Sequence, residues 1–398
     1  MLSFYSALWV TTTLATASLA TLTGLIYLTR TATKLNTSRR LIPSPRTTLL
    51  PFLSARETAE LPYPPNILPG ARDVDSPYGV MRAYEWGPED GSKVLLIHGD
   101  TTPGPILGPI AKALVKRGCR VLILDLWGRG YSDAPLDVPH DVRLFGLQIL
   151  FAIASSPLSW TGSASGGFSI IGFSMGGGIT MSFASHFPSL INSLILLAPA
   201  GILRRMPDDY KAQYFRYSSL VPASYLRTLV GKIMGVDMKK TPHSETKAKA
   251  AVLEEADLHT PRTPKNSDTQ TIDVPAAVQW QFDNHQGFVY SFIDSIAHGP
   301  LMHQQADWNK TCAIIKGDSS KVPKYIQSCK LFNSKILVIF GQSDGVVVGK
   351  EVSEDLSKML DGSAHVEYKM VPGGHGFPVP SSDEVVKHIS AFWKLREV

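Results

Sequence analysis

The sequence predicts an α/β protein: a mostly parallel central sheet flanked by helices, with a helical insertion. Three observations carry this expectation. Short apolar runs alternate with helical patterns from about residue 93 to 201 and again from 335 to the end, the rhythm of βαβ units. The alternation stops between about residues 202 and 332, where amphipathic and aromatic segments replace it. One apolar run, Gly167 to Phe173, turns abruptly into glycines around Gly172-Phe173-Ser174-Met175-Gly176. A strand running sharply into a helix needs small residues there, because the two backbones approach closely, and it leaves the serine hydroxyl exposed at a strained turn.

Taken in order, Met1 to Thr29 carries no Asp, Glu, Lys or Arg, and it is long enough to span a bilayer. Arg30, Lys34, Arg39, Arg40 and Arg46 follow, with no acid before Glu57. Residues 1–29 are expected to be a membrane anchor with the basic flank and the domain behind it facing the cytosol. A mitochondrial presequence is the competing reading, and a lumenal location in the secretory pathway is another alternative. Residues 30–74, basic and proline-containing, read as a linker, so the first part of the core is expected over 75–201.

Tyr78 to Trp86 has the mixed alternation of an edge strand. Lys93–Ile97 and Arg120–Leu124 are buried strands, separated by a helix through Ile106, Ile110 and Leu114 that closes at Arg117-Gly118. A helix over Leu144 to Ala154 leads to the serine-bearing strand, and another helix follows from Ser174 to about Phe187-Pro188. Ile191–Leu197 is the next buried strand. Residues 202–332, including a polar stretch from Lys239 to Asp273, are expected to form a cap inserted into the core. The core resumes over 333–398 with strands at Lys335–Phe340 and Val366–Val371 and a terminal helix through Val385, Ile389 and Phe392.

Bulk properties narrow the function. The composition, 44% hydrophobic and 18% charged, is that of a globular protein, and a net charge of +5 without a basic stripe excludes a nucleic-acid partner. No zinc-type Cys or His spacing occurs, so neither metal nor cofactor is expected. Of the three cysteines, Cys119 opens an apolar strand, and Cys312 and Cys329 can pair only in an oxidising compartment. Asn36 and Asn309 fit the glycosylation pattern, which matters only in the lumen.

A serine hydroxyl needs a base to become a nucleophile, and the base needs an orienting carboxylate. On a strand–serine–helix turn the chain order is Ser, acid, His. His375 sits in the glycine-flanked loop Gly373-Gly374-His375-Gly376 just after a strand. Asp344 lies just past the strand before it, where open α/β sheets place functional residues. Asp318 is a rival acid, set aside because the apolar run before it is short and falls in the insertion. The backbone N–H groups of Asp100, after His98-Gly99, and of Met175 are expected to form an oxyanion hole. A carboxylate at position 100 is awkward beside an oxyanion unless it turns away or is protonated. Phe173, Trp280, His285, Phe288 and Tyr290 are candidate pocket residues, although aromatics at helical spacing also serve as cap core.

These residues together resemble the α/β-hydrolase superfamily, in its cap-bearing branch of monoacylglycerol lipases, esterases and haloperoxidase-like enzymes. The matching motifs are His98-Gly99, the Asp125…Gly128-Arg129-Gly130…Ser132-Asp133 turn, Gly172-Phe173-Ser174-Met175-Gly176-Gly177, Gly341-Gln342-Ser343-Asp344 and Gly374-His375. The resemblance implies the α/β-hydrolase fold, a Ser174–His375–Asp344 triad, and a structural rather than nucleophilic Ser132. It also argues against epoxide hydrolase or dehalogenase activity, which use aspartate at the elbow. The expected function is a serine hydrolase of carboxylic esters, with a small-molecule ester or lipid-like substrate. A biosynthetic acyltransferase, lactonase or C–C hydrolase using the same triad is the alternative, and a non-catalytic ligand-binding protein of this fold is the third.

Overall fold

A computed structural model describes residues 40–162, 166–205, 223–234, 236, 272–318, 320, 335–362 and 364–395, together with Thr21. The chain separates into two units, Met1–Arg40 and Leu41–Val398. Apart from Thr21, the expected anchor at 1–29 lies outside the described residues, as do Asn36, Cys329 and the polar stretch 239–271. Among the described residues no helix is long and apolar enough to cross a membrane.

The second unit begins with a short strand β1 (Leu41–Ile42) and two short helices, α1 (Pro45–Thr48) and α2 (Ala55–Ala59). Strands β2 (Ala71–Ser76), β3 (Gly79–Trp86) and β4 (Ser92–Ile97) follow, then helix α3 (Gly108–Lys116) and strand β5 (Cys119–Leu124). The two-residue β6 (Ala134–Pro135) precedes α4 (Val142–Ala154), β7 (Phe168–Phe173), α5 (Met175–His186) and β8 (Ile191–Leu197). Between β8 and the next strand come α6 (Ala223–Ile233), α7 (Val274–Asn284), α8 (Phe288–His298) and α9 (Gln305–Lys316). The chain closes with β9 (Ile336–Gly341), α10 (Gly349–Met359), β10 (Val366–Val371) and α11 (Ser382–Trp393).

The central sheet has eight strands in the order β10-β9-β8-β7-β4-β5-β3-β2. Only β2–β3 and β3–β5 pair antiparallel; the other neighbours are parallel. Parallel strands covered on both faces read as continuous apolar runs rather than alternating ones. That is how Val94–Ile97, Val121–Leu124, Leu194–Leu197 and Ile336–Phe340 are written, and every one of these residues is buried. Each such Leu, Ile or Val contributes roughly 1.5–3 kcal/mol by leaving water. On the helical layers, α11 packs against α3, whereas α5 packs against both α4 and α9. Helix α4 starts where the Asp141 side chain accepts hydrogen bonds from Arg143 N at 2.9 Å and Leu144 N at 3.3 Å. A cap of this kind stabilises a helix by about 1 kcal/mol.

The structure differs from the sequence expectations at three places. Tyr78–Trp86 is not the edge strand, because β2 pairs along its outer side from Ala71 to Ser76. Nor is 41–74 a linker. Leu41 and Ile42 pair with Pro135 and Ala134, Ser44 N donates to Asp133 Oδ1 at 2.8 Å, and Tyr63 is fully buried with its hydroxyl 2.6 Å from Asp125 Oδ2. This arm is held by single anchors at long range, so no periodicity announces it. Finally, not all of 202–332 stands apart from the core. Thr311 of α9 donates its hydroxyl to Met181 O at 2.8 Å, and a Cβ at Gly178 would lie 2.2 Å from Pro300 O. Helix α9 is thus a covering helix pressed against α5.

Candidate active site

Ser174 ends β7 and precedes α5 with φ 54 and ψ −121, a conformation that costs a non-glycine residue roughly 1–3 kcal/mol. The turn is over-determined by its surroundings. Ser174 N donates to Leu197 O at 3.0 Å, and Ser174 O accepts from Gly177 N at 2.8 Å and Ala200 N at 2.9 Å. The flanking glycines are a steric requirement: a Cβ at Gly172 would sit 2.3 Å from Gly176 O, and one at Gly176 would sit 2.3 Å from Ile97 O.

His375 and Asp344 reach this serine from the loops after β10 and β9. Those loops can meet because a Cβ at Gly341 would fall 2.6 Å from Gly373 O and 2.5 Å from Gly374 O. His375 Nδ1 lies 2.8 Å from Asp344 Oδ2, and His375 Nε2 lies 2.9 Å from Ser174 Oγ. Asp344 Oδ1 accepts from Val346 N at 2.9 Å and Val347 N at 2.8 Å, which fixes the carboxylate plane. A carboxylate that accepts at Nδ1 assigns the proton there, leaving the Nε2 lone pair for the serine hydroxyl. Ser174 is 5% exposed and His375 is fully buried, so the pair interacts in a poorly screened environment. Phe173 packs under the imidazole at 5.0 Å between ring centroids, and Phe377 packs in turn against Phe173 at 6.4 Å. The sequence-predicted Ser, His and Asp are therefore brought into one hydrogen-bonded line. Asp318 lies elsewhere, beyond the end of α9, where its Oδ1 accepts from Ser320 N at 3.1 Å.

Met175 is the first residue of α5, so its N–H belongs to the helix terminus that carries partial positive charge. Gly99 faces it across the site: a Cβ there would lie 3.1 Å from Ser174 Cβ. His98 Nδ1 donates to Gly99 O at 2.7 Å while its Nε2 accepts from Leu126 N at 2.8 Å. Burial lowers the His98 pKa to about 3, so the ring stays neutral and holds both bonds. The awkward Asp100 carboxylate is engaged by Arg129 Nη2 through Oδ1. Burial pushes the Asp100 carboxyl up to about 6, against the pull of Arg129.

Other candidates occupy the contact between the insertion helices and the core turn. Trp280 is buried, 5.5 Å from the Tyr63 ring and 5.3 Å from the Tyr131 ring. His285 Nε2 donates to Ser132 O at 2.8 Å, and its Nδ1 accepts from Gly287 N at 3.1 Å. Burial lowers the His285 pKa to about 4. Phe288 is buried beside Phe292, and the partly exposed Tyr290 donates its hydroxyl to Leu136 O at 3.1 Å. Ser132 is buried, with its hydroxyl donating to Asp125 O at 2.6 Å and accepting from Arg82 N at 3.0 Å. Both lone-pair and proton roles of that hydroxyl serve the turn. Among the described residues no group of three or more His, Cys, Asp or Glu side chains gathers to hold a metal. Sequence reasoning missed Arg129 and Gln281 as members of this region. Arg129 stood inside a recognised Gly-Arg-Gly turn, but nothing in the spacing tells where its guanidinium ends.

The family profile of the alpha/beta hydrolase fold matches residues 92–378. A serine hydrolase-like protein of Dictyostelium discoideum is 32% identical over 138 residues, 34% of this chain and 36% of its own length. One from Danio rerio is 29% identical over 127 residues, 32% of this chain and 37% of its own. The chain thus matches little more than a third of the length of these curated relatives. Among solved structures, a carboxylesterase of Nitrososphaera gargenis superposes with a TM-score of 0.53 at 14% identity, covering 81% of this chain and 98% of that one. A 2-hydroxy-6-oxo-6-phenylhexa-2,4-dienoate hydrolase of Rhodococcus does so with a TM-score of 0.52 at 17% identity, covering 81% and 99%. At those identities the likeness is one of fold.

Proposed function

Because the chain belongs to the alpha/beta hydrolase family, we propose that it is a serine hydrolase that cleaves carboxylic esters through an acyl-enzyme intermediate. The reading rests on one observation: His375 stands between Ser174 Oγ at 2.9 Å and Asp344 Oδ2 at 2.8 Å. In this reading Ser174 Oγ attacks the ester carbonyl while His375 Nε2 takes its proton. Asp344 holds the imidazole in the tautomer that can accept, and it stabilises the imidazolium that forms. The oxyanion of the tetrahedral intermediate is met by the Met175 and Asp100 N–H groups. Its collapse expels the alcohol, which takes the proton back from His375. Water, deprotonated by the same nitrogen, then frees the acid and restores Ser174.

The substrate is proposed to be a small ester, and lipid-like if residues 1–29 anchor the chain in a membrane with this domain on the cytosolic side. That second element is supported by the sequence pattern of an uncharged run followed by arginines and lysine. The experiment is labelling with a fluorophosphonate probe, which reports a serine activated by a neighbouring base, followed by a screen of ester chain lengths. The expected adduct is on Ser174. An adduct elsewhere, or none on folded protein, removes the catalytic reading.

A further inference from the structure

Three successive carbonyls beside the nucleophile, those of Gly99, Asp100 and Thr101, each accept a hydrogen bond from a different buried side chain. His98 Nδ1 donates to Gly99 O at 2.7 Å. Arg129 Nε donates to Asp100 O at 3.0 Å. Gln281 Nε2, from α7, donates to Thr101 O at 2.9 Å. A trans peptide is planar, so its N–H points opposite to its C=O. The Gly99 carbonyl and the Asp100 N–H share one such plane, and fixing the first aims the second. The next two carbonyls set the planes that follow, so they determine whether the aimed N–H can swing.

Arg129 and Gln281 are themselves held from both sides. Gln281 Oε1 accepts from Gly130 N at 2.7 Å. Arg129 Nη1 donates to Trp127 O at 2.8 Å, and its Nη2 reaches Asp100 Oδ1 as well as Ser295 Oγ at 2.9 Å and Ser291 O at 3.3 Å on α8. Both side chains are fully buried. Segment 100–101 is therefore clamped between the core turn 128–130 and two helices that come from the insertion. Of the functional groups involved, the guanidinium also draws the Asp100 carboxylate off, so a negative charge is kept engaged beside a place where an oxyanion is to form.

We propose that Gln281 and Arg129 are positioning residues for the oxyanion-binding loop, and that α7 and α8 thereby fix the aim of the Asp100 N–H. The proposal rests on the reading of Ser174 as nucleophile. Catalysis by a preorganised donor requires that it already point where charge will develop, since an N–H that swings stabilises the ester and the intermediate alike. Loosening the clamp should lower kcat and leave ground-state binding of a small ester nearly unchanged.

The test measures kcat and KM on a short p-nitrophenyl ester, per site titrated with fluorophosphonate, together with inhibition by an alkyl trifluoromethyl ketone. The ketone's serine hemiketal carries the oxyanion, so it senses the loop and a merely structural defect does not enter the per-site value. Gln281→Met keeps the buried volume but loses both hydrogen bonds. It is expected to lower kcat about 10- to 100-fold and to raise the inhibition constant about tenfold, with KM within threefold. Ser295→Ala removes the hydroxyl on α8 that Arg129 Nη2 reaches and that also bonds the Asp100 carboxyl, while the Arg129–Asp100 pair and the longer Arg129–Ser291 O contact remain. Its expected loss of kcat is about threefold, and it keeps the proposal testable if Gln281→Met does not fold. Per-site kcat and inhibition within twofold of wild type in each variant that folds overturn the proposal. So does a rise of KM in step with the inhibition constant. Absence of Ser174 labelling in the wild-type chain is a different result, and it overturns the proposed function itself.

Discussion

Replacing Asp344 by Asn tests the proposed chemistry through a single proton. In the wild-type site Asp344 Oδ1 faces the N–H groups of Val346 and Val347, and Oδ2 faces His375 Nδ1. An asparagine must choose which end keeps its oxygen. Turning the amide NH2 toward two backbone donors strands them, at about 1–3 kcal/mol for each buried group left unpaired. The oxygen therefore stays with Val346 and Val347, and the NH2 faces the imidazole. His375 Nδ1 must then accept, which moves the ring proton to Nε2, where it points at Ser174 and cannot receive the serine's proton. Loss of the correct tautomer is expected to lower kcat by ~10³- to 10⁴-fold, ~4–5.5 kcal/mol in the barrier, with the fold intact. The assay is kcat and kcat/KM on p-nitrophenyl acetate, with circular dichroism for folding and nitrogen NMR of the ring for the tautomer. A folded Asp344→Asn protein within tenfold of wild type refutes the reasoning. A loss on Asp318→Asn in its place points to the other acid.

Two further outcomes concern the arm and pH. A chain beginning at Arg40 retains β1 and the Ser44–Asp133 hydrogen bond, and it is expected to match the full-length catalytic constants. One beginning at Arg56 loses both and should be less stable by roughly 2–4 kcal/mol in urea unfolding; equal stability of the two counts against the arm as part of the fold. If 1–29 is an anchor, the full chain stays with membranes after alkaline carbonate washing and the Arg40 chain does not, whereas release of both refutes the anchor. Burial lowers the folded-state pKa of His98 from 6.5 to about 3, so the unfolded chain binds the extra proton first. Its contribution is present above pH 6.5 and is lost as the pH falls. The stability difference between wild type and His98→Asn should shrink by ~1.4 kcal/mol per pH unit between pH 6 and 4.5, and a difference that stays constant with pH contradicts this.

The parts of the fold readable in the sequence are those with a repeating cause. Strands β4, β5, β7, β8 and β9 lie between helical layers, so each shows as an unbroken apolar run. The line of Ser174, Asp344 and His375 was readable because strand ends and glycines mark the same three places. What escaped has one-off causes. Strand β2 reads Ala-Arg-Asp-Val-Asp-Ser, with one buried residue, Val74, because one outer edge of the sheet asks little of it. The arm depends on Tyr63 and Ser44, two residues with no pattern around them. Trp280, His285 and Phe288 belong to a buried aromatic face, whose spacing is the same whether it meets a ligand or a turn, so the sequence does not say which. Arg129 and Gln281 owe their role to partners more than 25 and more than 150 residues away along the chain respectively, for example Asp100 and Gly130.

The hydrogen bond between Ser174 and His375 spans 201 residues of chain. During synthesis the serine is made long before the imidazole that would activate it, and the insertion helices are made in between. At roughly 5–20 residues per second that interval lasts on the order of 10–40 s. Through it the elbow can form, since β4, β7 and β8 all precede residue 198, yet its hydroxyl has no base within reach. On the proposed chemistry, a nascent chain of this design stays unreactive toward esters until residue 375 has left the ribosome, and a protein truncated by premature termination anywhere before that residue carries the serine without its base.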